Sequence, residues 1–524
     1  MMSFVRMLRA GLVAAVVAGS WACGSGGDGG SPTGPSSWTA GQFQSASTFA
    51  AQCASPRTGT DPTTGKAFAD KSGSTLAENN WLRAWTHDLY LWYREVPDQN
   101  PASFSTTADY FNALKTSATT PSGKPKDKFH FTFPTAQWIA LSQSGVEAGY
   151  GAQWVIVSSR PPRQVVVAYT EPNSPATAPS ANLARGAQVL TVDGADVVNA
   201  TDSASIDKLN AGLFPSAPGG SHTFSILDLG ASSPRTVTMT AVDVTSTPVQ
   251  NVETIRARGG TVGYMLFNDH IATSEQQLVS AFGQLQGVDD LVLDIRYNGG
   301  GYLDIAAEVA YMIAGPGPTA GRGFEKTVFN DKYPTTDPVT GRTLAPVPFH
   351  NTSQGFSGPK GQALPTLSLP RVFVLSSPNT CSASEAIVNG LRGVGVQVIQ
   401  IGTTTCGKPY GFYPADNCGT TYFSIQFQGV NAQGFGDYPD GFSPANTPSS
   451  PGVALPGCSV GDDFGHALGD PAEGRLAAAL GYRADGGCPP AAAASADPEM
   501  VRGASATDGL AHKSPWRENR ILRH

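Results

Sequence analysis

Four short apolar runs, three of them leading into segments of helical length, constrain this chain more than any other feature. Val262–Phe267, Leu291–Ile295, Val372–Leu375 and Val396–Ile401 read as strands, and Leu291–Ile295 as a buried one. The first three precede Ser274–Leu285, Ala306–Ile313 and Ser384–Leu391, each with helical patterning. A Ser-x-x-Gln capping pattern opens the helix at Ser274. This repeated strand–helix alternation predicts an α/β layer.

That layer cannot be the whole protein. A chain of 524 residues exceeds a single ordinary core, so two to four domains are expected. Residues 76–96 place Trp81, Trp85, Leu89, Trp92, Tyr93 and Val96 at helical spacing, and a second helix is predicted around Ala108–Lys115. Between residues 145 and 244 the texture changes to short strands and turns. Val165–Tyr169 is a strand, Pro172-Asn173-Ser174-Pro175 a turn, and Val189–Val192 runs into the hairpin signal Asp193-Gly194. Residues 315–370 lack clear periodicity.

The termini carry their own signals. Arg6 and Arg9 precede the apolar run Ala10–Ala18, as in an export signal. Cys23 follows Ala22, and a Gly/Ser-rich stretch follows Cys23. This resembles a bacterial lipoprotein signal, which implies lipidation of Cys23. The other six cysteines allow up to three disulfides; Cys406 with Cys418 and Cys458 with Cys488 are candidate pairs. The net charge of −7 argues against nucleic acid as a partner. His-Glu-x-x-His is absent, and no metal or cofactor is implied.

Three separated segments carry chemistry. Leu293–Leu303 runs from a strand through Gly299-Gly300-Gly301, where bare backbone approaches a ligand closely and free N–H groups suit an oxyanion. Asn379-Thr380-Cys381-Ser382-Ala383-Ser384-Glu385 places Ser382 on a turn between strand and helix; a serine there is more often a helix cap. Thr405-Cys406-Gly407-Lys408 follows the next strand and returns Lys408 towards the same edge. A lysine serves as general base only where its pKa is brought down from about 10.4 towards ~7–8.

Together the segments resemble peptidase family S41, the carboxy-terminal processing or tail-specific proteases. Asp294–Gly301 matches the family's Asp-x-Arg-x-Asn-x-Gly-Gly segment, Ser382–Glu385 its Ser-Ala-Ser-Glu motif, and Gly407-Lys408 its Gly-Lys element. The resemblance implies Ser382 as nucleophile and Lys408 as base. The oxyanion donors would be Ala383 and Gly300 or Gly301. Phe412 stands where many relatives carry a glutamine, so a polar group orienting the lysine is in question. A disulfide from Cys406 to Cys381 or Cys418 would brace the site. The run Tyr169–Gly194 resembles a PDZ domain, in which Gly149-Tyr150-Gly151-Ala152 would capture a peptide's terminal carboxylate.

The expected fold class is α/β (α+β) multidomain, with an N-terminal helical segment and a PDZ-like domain inserted before a crotonase-like (ClpP-like) catalytic core. The expected organisation is signal peptide 1–22, lipidated tether 23–72, helical region 73–143, PDZ-like domain 144–245, catalytic core 246–488 and disordered tail 489–524. The function expected from the resemblance is an exported endopeptidase acting on proteins or peptides with free C-termini. It would be anchored by lipid in the cell envelope, at the outer membrane. The alternatives are an anchored pseudo-protease that only binds C-terminal peptides, and a hydrolase using His270 or His130 as base. The basic residues 514–524 are expected to be mobile, with docking on the PDZ-like groove or a membrane as the other reading.

Overall fold

The computed structural model describes residues 38–62, 64–158, 161–490, 499–504, 511–513 and 520–522. The export signal and Cys23 lie outside the described residues. The predicted alternation builds a six-stranded sheet in the order Val249–Ala257, Gly260–Phe267, Asp290–Asp294, Arg371–Ser376, Gln397–Gly402, Gly457–Ser459. The first pair is antiparallel and the other four pairings are parallel.

The inner strands Asp290–Asp294 and Arg371–Ser376 are largely apolar because both of their faces are covered. Leu291, Leu293, Val372 and Val374 point to one face, where helices Ser274–Gln284, Leu303–Ala314 and Ala383–Gly393 pack. Val292, Phe373, Leu375 and Ile399 point to the other, against the helix Gly474–Asp485 and Val155, Val166 and Ala168 from the middle of the chain. The period of two along each strand thus feeds two cores.

Residues 146–245 contribute a second β-rich region with its own core of Trp154, Val167, Val189, Phe224, Ile226 and neighbours. Its sheet runs Arg235–Thr240, Ser221–Leu227, Gln188–Val192, Gln164–Thr170, Ala152–Ser158, with the helix Ser203–Leu213 packed on it. The fold is mixed α/β and multidomain, as the sequence predicts.

Several expectations change. The first helix stops at Leu89 rather than Val96, because Leu91 N–H pairs with the Ile425 carbonyl and Tyr90 turns its hydroxyl to Asp127. The tether does not extend to residue 72: Cys53 is disulfide-bonded to Cys418, Arg57 pairs with Asp70, and Gln52–Cys53 lies beside Lys71–Ser72. Cys418 therefore does not pair with Cys406; Cys381 takes that place, and Cys458 pairs with Cys488. Within the segment 489–524 expected to be disordered, Glu499–Ala504, Ala511–Lys513 and Arg520–Ile521 are strands. Glu499–Ala504 adds to the free edge of Ala152–Ser158, and Arg520–Ile521 pairs with Gly301–Tyr302.

Candidate active site

Ser382 stands between the strand Arg371–Ser376 and the helix Ala383–Gly393 with φ 60° and ψ −110°. Side chains with a β-carbon resist this backbone, so neighbours must hold the turn. Thr380 Oγ1 donates to the Ile295 carbonyl at 2.8 Å, while Cys381 N–H and Ser384 Oγ donate to the Asn298 carbonyl at 3.1 and 2.9 Å. The nucleophile candidate is fully buried at a helix N-terminus, where the helix dipole favours developing negative charge.

Glu385, on the first turn of that helix, joins the serine and lysine segments. Its Oε2 accepts N–H groups from Ser382 at 3.0 Å and Lys408 at 2.8 Å. Its Oε1 accepts Gly407 N–H at 2.9 Å and Thr405 Oγ1 at 2.5 Å. Burial pushes this carboxyl above its ordinary range, while the same four donors hold it down. Gly407 is required here: at φ 83° a β-carbon would lie 2.2 Å from the Pro439 carbonyl oxygen. Lys408 is buried, its Nζ 4.7 Å from the ring centres of both Phe129 and Phe412. Phe412, standing where a glutamine is common, therefore presents a π-face to the lysine.

The glycine turn is organised by Asn298. Its Oδ1 accepts Gly300 N–H and His270 Nδ1–H, both at 2.9 Å, and its Nδ2 donates to the Phe267 carbonyl at 3.0 Å. The Gly300 amide is thus committed within the turn. The Gly300 carbonyl and Tyr302 N–H bond to the His270 backbone, so strand alternation turns the N–H and C=O of Gly301 to the opposite edge. A β-carbon on Gly301, at φ 138°, would lie 2.4 Å from the His270 carbonyl oxygen. Burial lowers the His270 pKa to about 3, which keeps the ring neutral. His130 bonds the Phe111 carbonyl through Nε2 at 2.9 Å and lies 3.7 Å from Asp127.

The structure therefore draws Ser382, Ala383 and Lys408 together around Glu385 and ties them to Gly300 and Gly301 through Asn298. The Cys381–Cys406 disulfide bridges the residues that precede Ser382 and Gly407. Its sulfurs lie near Glu385 but are bonded to each other, so they are not thiolate metal ligands. Gly149–Ala152 belongs to the β-rich region, where it borders a cavity lined also by Trp154, Glu171, Leu213 and Phe214. Sequence reasoning missed Asn298 and Phe129. The former lay inside a recognised segment, and the latter had no local signal.

Asp294 and Arg296 do a different job. The Arg296 guanidinium bonds Asp294 at 2.8 Å, Asp462 at 2.7 Å and Glu473 at 2.6 Å, all out of solvent. Arg185, from the β-rich region, bonds Asp462 at 2.8 Å and the Tyr297 hydroxyl at 2.6 Å. The flanking guanidinium groups hold the Asp462 carboxyl well below the usual range against its burial. This network fastens the base of the glycine segment to the β-rich region and the last helix.

Comparison with known proteins points to the same three segments. The sequence profile "Peptidase family S41" matches residues 261–411, which span all three segments, and "Peptidase S41 N-terminal domain" matches residues 77–131. Over these residues the chain is similar to peptidase family S41. Among curated proteins, the carboxyl-terminal-processing protease of Picosynechococcus sp. is 32% identical over 183 residues, 33% of this chain and 40% of that protein. The carboxyl-terminal-processing protease of Synechocystis sp. is 29% identical over 130 residues, 24% of this chain and 29% of the relative. The chain thus spans less than half the length of these relatives. The crystal structure of a Bacteroides fragilis protein ascribed to the S41 proteases shares the fold. Its TM-score is 0.57 at 22% identity, over 77% of this chain and 96% of that one.

Proposed function

We propose that this chain is an exported serine endopeptidase in which Ser382 is the nucleophile and Lys408 the general base. The observation that carries this reading is the shared Glu385 oxygen, which accepts the backbone N–H groups of both residues and so fixes their spacing. Ser382 Oγ attacks the scissile carbonyl while the neutral Lys408 amine takes its proton. Apolar burial favours the neutral amine, and the faces of Phe129 and Phe412 favour the ammonium that follows. The oxyanion is received by the N–H groups of Ala383 and Gly301, since Gly300 N–H already serves Asn298. Collapse of the tetrahedral adduct breaks the C–N bond, and Lys408 returns the proton to the leaving amine. Water, deprotonated by the same amine, then releases the acyl group from Ser382.

The β-rich region is read as a PDZ-like module that takes a substrate's C-terminus at Gly149–Ala152 and adds it along the edge of Ala152–Ser158 that Glu499–Ala504 occupies here, displacing that strand. Three disulfides favour an oxidising compartment, consistent with export and a lipid on Cys23. No helix of the described residues is long and apolar enough to cross a membrane.

Acylation tests the reading. After brief reaction with an acyl-peptide p-nitrophenyl ester, mass spectrometry is expected to find the acyl group on the peptide containing Ser382 and none in Ser382→Ala. An unmodified wild type that still binds C-terminal peptides would favour the anchored pseudo-protease.

A further inference from the structure

The two edges that flank the proposed catalytic pair are occupied by the chain itself. Arg520–Ile521 lies parallel to Gly301–Tyr302, with Gly301 opposite Arg520 and Tyr302 opposite Ile521. On the other side Ile521 is paired in parallel with Phe412, and Leu522 N–H reaches the Phe412 carbonyl at 3.4 Å. A three-residue segment is thus held as a strand between the glycine turn and the chain that carries Lys408. The edge of Gly301 that it covers is the one bearing the N–H assigned to the oxyanion.

The side chains repeat the point. Ile521 is 3% exposed and belongs to the apolar cluster of Phe129, Phe412, Phe423 and Trp138 with the Cys381–Cys406 disulfide. That cluster holds both rings over Lys408 and the half-cystine preceding Ser382. Leu522 packs instead with Phe329, Tyr413 and Phe427. Successive residues of an extended chain point to opposite faces, so two aliphatic side chains enter two separate apolar pockets. Here a short extended segment gains main-chain pairing on both edges and burial of its two aliphatic side chains.

We propose that the slot between Gly301–Tyr302 and Phe412 is the seat of the substrate chain, that it selects adjacent aliphatic residues, and that Arg520–Leu522 holds it as an internal pseudo-substrate. This rests on the Ser–Lys reading above and names the substrate class of that site: extended polypeptide with consecutive branched aliphatic side chains. A segment tethered to the same chain competes at an effective concentration of order mM, so it blocks weakly binding substrates and yields to tight ones.

The test uses the full-length chain with Ile521→Asp, Ile521→Val as its conservative partner, and a fluorescent peptide of sequence 517–524 capped at both ends. Ile521→Asp is expected to raise kcat/KM on unfolded casein at least tenfold, mainly through KM, while Ile521→Val stays within twofold of wild type. By anisotropy the peptide should bind Ile521→Asp at least tenfold more tightly than wild type. A peptide with Asp in place of the isoleucine should not bind. Casein cleaved equally by wild type and Ile521→Asp, with no peptide binding to either, would overturn the pseudo-substrate and leave the protease reading standing. Peptide binding to Ile521→Asp with no cleavage by any variant would support the seat and break the protease reading, because binding is read without turnover.

Discussion

Arg296 and Lys408 are both fully buried basic side chains, and the contacts described around them differ. Around Arg296 stand Asp294, Asp462 and Glu473, each within hydrogen-bond reach of the guanidinium. The contacts described for the Lys408 ammonium are with the faces of Phe129 and Phe412, and the nearby Glu385 carboxylate is engaged by backbone N–H groups and Thr405. Coulombic pairing fixes a charge in place. A π-face holds a cation while leaving its proton exchangeable, as a general base requires. A third solution lies beside the helix Ser274–Gln284. The Glu308 carboxyl is pushed up to about 9 by burial and by the facing Glu275, so it is kept neutral by a proton. Glu275 in turn receives N–H groups from the loop Gln354–Gly358. The difference teaches that one stretch of chain, Asp294 to Gly301, carries both a permanent fastening and an edge of the proposed reaction site.

The sharpest break in that comparison is Arg296→Met, which strands buried carboxylates in the paired network. We expect a loss of about 3–5 kcal/mol in urea unfolding, larger than for any single change beside Lys408. A loss below about 1 kcal/mol would mean that the network is not structural.

Glu308→Gln probes the protonated case. With its folded pKa near 9 and an ordinary value of 4.5, Glu308 holds a proton when folded that it loses when unfolded throughout that window. Its contribution is therefore complete below about pH 4.5 and is lost as pH rises towards 9. Wild-type stability should fall relative to Glu308→Gln by up to about 1.4 kcal/mol per pH unit between these limits. Parallel stability curves from pH 5 to 9 would contradict the assignment.

Phe412→Leu makes the smallest change, keeping an apolar side chain while removing one π-face and some buried volume. A cost of about 1 kcal/mol in transition-state stabilisation is expected, read as a roughly fivefold fall in kcat/KM for protein that is still fully folded under assay conditions. An unchanged rate would assign the ring to packing alone.

The parts legible in sequence are those encoded over short spans. Apolar runs alternating with helical segments gave the central sheet; the Ser-Ala-Ser-Glu and Gly-Lys elements pointed to the segments that meet at Glu385, and the Gly-Gly element to the turn tied to them through Asn298. What escaped depends on partners far along the chain. Arg296 finds Asp462 and Glu473 across 166 and 177 positions, and Cys53 finds Cys418 across 365. Nothing local in the Gly/Ser/Thr-rich stretch before residue 72 signals that its second half is pinned. The tail misled for the same reason: Ile521 has no periodic neighbours, and its burial comes wholly from residues brought together by the fold. Glu385 is marked in sequence only by its place in the Ser-Ala-Ser-Glu motif, because its partners lie in the loop Thr405–Lys408.

The central claim is that Ser382 and Lys408 work as one unit, and a double-mutant cycle tests it most directly. Cleavage of unfolded casein would be measured for wild type, Ser382→Ala, Lys408→Ala and the double variant. The account predicts that each single change lowers kcat by about 10³-fold or more and that the double variant is no worse than either. Independent, multiplying losses, or substantial activity retained by Lys408→Ala, would contradict it.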